Sequence, residues 1–103
     1  MAKEYDIFVP LFYNDGTPIE SRKFKRLQGR LLANFDGLSF FPQPIEGFWK
    51  MGGVTYRDQI VIYRVLSYQG GKAKRILVQL KEQLKRELKQ EEILVVERNV
   101  RTL

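Results

Sequence analysis

The run Gln59-Ile60-Val61-Ile62-Tyr63-Arg64-Val65-Leu66 limits the fold more than any other stretch of this chain. Read with a period of two, Ile60, Ile62 and Leu66 share one face with Arg64, while Val61, Tyr63 and Val65 share the other. A strand apolar on both sides is normally central and covered on both faces. The spacing therefore predicts a central strand over about 59–68 and a sheet through the middle of the molecule.

The neighbouring segments supply what would surround it. Tyr5, Ile7, Val9, Leu11 and Tyr13 alternate with Phe8, Pro10 and Phe12, which predicts a first strand. Pro10 has no N–H to give a ladder, so an edge position or a bulge is expected there. Asn14-Asp15-Gly16 is turn chemistry. Thr17-Pro18-Ile19-Glu20 has the form of a capping box with proline at the first helical position, opening a helix that runs to about Asn34. Phe24, Leu27, Leu31 and Phe35 form its buried stripe. Gly29, unfavourable inside a helix, predicts a close approach to a strand.

Leu38–Phe41 and Phe48–Met51 read as two pieces of one strand interrupted by Pro42 and Pro44. Gly52-Gly53 predicts a hairpin turn joining it to the central strand. A second helix follows over about Lys72–Gln90. Its stripe of Ala73, Ile76, Leu77, Leu80, Leu84 and Leu88 is the strongest periodic signal in the chain. Ile93–Arg98 reads as the last strand.

The order strand, helix, strand, strand, helix, strand is the ferredoxin-like βαββαβ arrangement of the α+β class. It places an antiparallel sheet beneath two helices packed on one face. With 103 residues, short connections and no break in composition, residues 1–103 are expected to form a single domain without a linker. The sheet face away from the helices would then be largely apolar, and such patches mark interfaces. The expected cover is a second copy of the chain, as in dimeric α+β barrels, where two such sheets face each other. The alternative cover is the interrupted strand or the C-terminal tail folded over the sheet.

Composition removes several chemistries. There is no cysteine, hence no disulfide, thiolate ligand or thiol nucleophile. There is no histidine either, so triads that need an imidazole are impossible and the commonest metal ligand is missing. Neither a metal nor another cofactor is expected. No apolar run reaches the length of a membrane span, and no export signal is visible at the N-terminus. The expected location is the cytoplasm, with no membrane partner.

The net charge is +6, and the two helix segments hold most of the basic residues. Lys74, Lys81, Lys85 and Lys89 make nucleic-acid binding by a basic helix face one possible function. The central strand nevertheless lacks the aromatic pattern of RNA-binding domains of this topology. The more distinctive composition lies around the hairpin. Phe48, Trp49, Tyr56 and Tyr63 are expected to line a pocket there, with Lys50, Arg57 or Arg64 as an anion partner and Asp58, Glu46 or Asp6 as the carboxylates that could join it. No phosphate-loop motif is present.

Gly47-Phe48-Trp49 and Gln90-Glu91-Glu92-Ile93-Leu94 resemble matching segments in small bacterial proteins of the kind found in cyanobacteria. Those proteins have a Gly-x-Trp hairpin, and the resemblance runs over nearly the whole chain. It implies a ferredoxin-like fold and assigns no activity. The leading expectation is a homodimeric, non-catalytic module that binds a small ligand or a protein partner in a regulatory role. A small cofactor-free enzyme of the dimeric α+β barrel type is the alternative.

Overall fold

A computed structural model of the chain describes residues 2–103. β1 (Ala2–Pro10), α1 (Ser21–Asn34), β2 (Gly37–Met51), β3 (Val54–Ser67), α2 (Gly70–Glu87) and β4 (Val95–Val100) follow the expected order. The strands form one sheet in the order β2-β3-β1-β4, with every neighbouring pair antiparallel. This is the ferredoxin-like topology, and β3 and β1 are its central strands.

The two faces of the sheet differ as the alternation requires. Tyr5, Ile7 and Val9 of β1 and Val61, Tyr63 and Val65 of β3 join Leu27 and Leu31 of α1 and Leu77, Leu80 and Leu84 of α2 in a single buried cluster. Tyr63 is almost fully buried and stacks on Phe40, with ring centroids 4.6 Å apart. The even-numbered residues of β1 and β3 face away from the helices and line an open face. There Glu4, Asp6 and Phe8 stand opposite Leu66, Arg64 and Ile62. Pro10 ends β1 opposite Ile60, beyond the last β1–β4 pair at Ile7 and Val95, so its missing N–H faces no partner strand.

The interrupted strand is continuous but bulged. Phe41 pairs with Ile62 and Ile45 pairs with Ile60, so Pro42, Gln43 and Pro44 stand opposite Val61 alone. Gly52 and Gly53, at φ +57° and +78°, make the expected two-residue turn between Met51 and Val54. Since β1 ends at Ile60, the β2–β3 hairpin continues past the four-stranded sheet as a two-stranded ribbon.

Two local expectations are corrected. The capping box does not form: α1 starts at Ser21 with no side-chain cap. Tyr13 and Lys23 bind the Glu20 carboxylate instead, and Asp15 takes the Thr17 hydroxyl. A partly buried ring beside the helix start thus outcompetes a local backbone bond. A Cβ at Gly29 would meet nothing, so this glycine marks no close approach. The C-terminus of α2 closes with Lys89 at φ +53°, and the Gln90 amide donates to Lys85 O at 2.8 Å. That is a Schellman-type ending carried by a lysine rather than a glycine.

Candidate functional site

The open face carries a charged cluster that only the folded chain assembles. Asp6 lies in the middle of β1 and is 4% exposed. Arg64, its cross-strand partner on β3, donates from Nε to Oδ1 at 2.8 Å and from Nη2 to Oδ2 at 3.0 Å. Arg98 of β4 approaches the same Oδ2 at 2.7 Å and donates to Glu4 Oε1 at 3.2 Å. Two carboxylates and two guanidinium groups thus interlock across three strands. The arginine bonds, Arg64 first and then Arg98, outweigh burial and hold the Asp6 carboxyl below its ordinary range. Both arginines are held more firmly in the charged form, chiefly by Asp6. Arg64 also lies over the Phe41 ring, 5.0 Å from its centroid.

Beside the cluster is an open depression of about 380 Å³, bordered by Glu4, Ser39, Arg64, Leu66, Arg101 and Thr102. The C-terminal tail forms one wall, held where Tyr68 Oη donates to Thr102 Oγ1 at 3.2 Å. Residues of the tail and of the hairpin both reach the open face. At the hairpin end the Trp49 indole meets Phe8 edge-on, with centroids 6.4 Å apart. It also lies across Gly47, where a Cβ would come within 3.1 Å of it. The glycine of Gly-x-Trp therefore clears the ground on which the indole rests. Phe41 remains exposed between these two ends.

The candidates named from the hairpin divide between the two faces. The register puts Trp49, Tyr56, Asp58 and Arg64 on the open side, and Phe48, Lys50, Arg57 and Tyr63 on the other. Arg57 pairs with Glu46 on that other side. Arg64 is also six residues from Asp58 along β3, about 20 Å at strand rise. The single chain therefore gathers no pocket from all eight. Of the four lysines, Lys81 pairs with Glu92 and Lys85 with Glu82. Lys89 lies over the Tyr13 ring, and Lys74 is exposed.

Glu4, Arg98 and Arg101 were missed. Glu4 and Arg98 are 94 residues apart in sequence and meet only because β1 and β4 are neighbours. One signal was available: Glu4 and Asp6 are charged residues alternating with Tyr5, Ile7 and Val9 in a strand otherwise rich in apolar groups. Among the described residues no group of three or more acidic, histidine or cysteine side chains could hold a metal ion. None of the described helices is long and apolar enough to cross a membrane.

No family model and no curated protein matches the chain. Among solved structures, the fold is similar to that of a phage SAM lyase in complex with S-methyl-5′-thioadenosine. The TM-score is 0.70 at 16% sequence identity, over 94% of this chain and 80% of that one. The likeness is one of fold, in keeping with a small α+β protein.

Proposed function

We propose that this protein is a self-associating module that binds a small ligand on the open face of its sheet, in the depression beside Glu4, Ser39, Arg64 and Arg101. The observation that carries this reading is the interlocked Glu4–Asp6–Arg64–Arg98 cluster at the edge of that depression. The cluster fixes donors and acceptors in place before any ligand arrives, so little ordering cost falls on binding. Glu4 offers an acceptor for a cationic group. Arg101, which makes no ion pair among the described residues, offers a donor fork for an anionic one. The complement is a small polar molecule carrying both kinds of group, with apolar parts able to lie against Leu66.

A cofactor-free enzyme is the second reading, favoured by the likeness to the SAM lyase. With no histidine or cysteine in the chain, proton transfer would fall to carboxylates, lysine or tyrosine. The neighbour's bound S-methyl-5′-thioadenosine, and the S-adenosylmethionine its name implies, are the first probes to try.

Calorimetric titration with both compounds tests the binding reading. Saturable binding is expected, weakened about tenfold by Arg101→Ala and by Glu4→Gln, each of which removes one charged contact. Absence of binding by either compound at millimolar concentration would overturn this ligand class. Chromatography of S-adenosylmethionine incubated with the protein separates the two readings. Release of S-methyl-5′-thioadenosine above the protein-free rate marks the enzyme, and binding without release marks the module.

A further inference from the structure

The ribbon formed by Ile45–Gln59 has no strand beside β2 on its outer edge, and none beside β3 beyond Ile60. A two-stranded hairpin is marginal in water when nothing packs on it. The open side of this one displays Ile45, Met51, Val54 and Tyr56 at 43%, 48%, 51% and 47% exposure, and the opposite side displays Phe48. Phe41 extends the open-side patch at its root, at 39%. At about 200 Å² per large side chain, these open-side residues leave on the order of 450 Å² of apolar surface in water. A standard interface takes about 800 Å² from each partner, so the open side of the ribbon supplies about half of one side, and its unpaired β2 edge adds backbone groups.

Charge selects the partner. The chain is +6, and copies meeting helix to helix would bring their basic residues together. The ribbon is neutral: Glu46 and Asp58 balance Lys50 and Arg57, and Glu46 already pairs with Arg57. It is thus a place where two like-charged chains can touch without repulsion. Its outer β2 edge is also self-complementary, because two identical edges can pair antiparallel about a two-fold axis. We infer that the ribbon Ile45–Gln59 is the surface through which this protein binds a second copy of itself. This rests on the ribbon alone and is independent of the ligand proposed above.

Light scattering of the full chain at micromolar concentration tests the inference, compared with the double variant Val54→Glu, Tyr56→Glu on the open side of the ribbon. The wild type is expected at a mass of at least two chains, unchanged at high salt because the contact is apolar. The variant is expected at one chain with an unaltered circular dichroism spectrum. A monomeric wild type, or an assembly that survives both charges, would overturn the inference. Should the variant fail to fold, wild-type Trp49 decides the matter. As the only tryptophan, and one located on the ribbon, it is expected to shift its emission to the red over the same dilution range in which the mass falls. Emission that stays fixed while the mass falls would place the contact elsewhere and overturn the inference.

Discussion

Arg64 holds Asp6 with two parallel hydrogen bonds across the central strand pair, and Arg98 closes on the same carboxylate from the other side. Asp6 is thereby a buried charge whose neutralisation would leave two guanidinium groups without their shared acceptor. Because its folded-state pKa is depressed, it contributes stability that is present above its ordinary value near pH 4 and is lost as pH falls through the lower folded value. Asp6→Asn is expected to cost about 2–3 kcal/mol at neutral pH. It should also flatten the loss of stability below about pH 4. Urea unfolding at a series of pH values reads both effects, and an unchanged acid limb in Asp6→Asn would contradict them.

Tyr5 should govern the alkaline limb. Its hydroxyl is pushed up to about 12, first by burial and then by Glu97. An acid whose folded pKa is raised adds stability that is intact below the ordinary value of 10.0 and disappears as pH rises towards 12. The alkaline loss of stability is expected to be steeper in wild type than in Tyr5→Phe. Equal slopes in thermal unfolding between those pH values would rule this out.

Gly47 and Trp49 are coupled by contact. Gly47→Val would drive a branched side chain into an indole only 3.1 Å from the first added carbon. The expected outcome is an indole displaced from Phe8, seen as a red-shifted emission, with a stability loss of about 1–2 kcal/mol. Emission identical to that of wild type would show that the indole does not rest on the glycine.

Lys89 offers a gain. It holds a left-handed conformation that costs a non-glycine residue about 1 kcal/mol. Lys89→Gly is expected to raise stability by up to about 1 kcal/mol, offset in part by the greater freedom of glycine in the unfolded chain. A fall in the denaturation midpoint would show that the lysine's place over the Tyr13 ring outweighs the strain.

Much of the fold was legible because it rests on periodicity. The stripe of Leu77, Leu80, Leu84 and Leu88 is buried as the spacing required. The two-faced run around Ile62 lies in a central strand, and the pieces either side of Pro42 and Pro44 join into one bulged strand. What periodicity cannot carry is partnership over long separations. Thr17 and Glu20 satisfied a local capping pattern, yet Tyr13, Lys23 and Asp15 took their side chains. Glu4 and Arg98 were unremarkable where they stood and became neighbours through strand order alone. The candidate site was therefore only half visible: Arg64 and Asp6 could be named, but not their pairing nor Glu4 and Arg98, which complete the cluster.

The three-against-one bulge at Pro42–Pro44 has a consequence for how such a chain can vary. Up to Ile60 the sheet is fixed by β1, the helices and the buried cluster, whereas beyond the bulge the backbones of β2 and β3 pair only with each other, with Trp49 against Phe8 as a side-chain tie to β1. Sequence changes in the ribbon leave the core register untouched, so the hairpin behaves as an exchangeable cassette on a constant frame. A chain that keeps this frame can change the exposed ribbon positions, the Gly47–Trp49–Phe8 contact apart, without altering the register of the core.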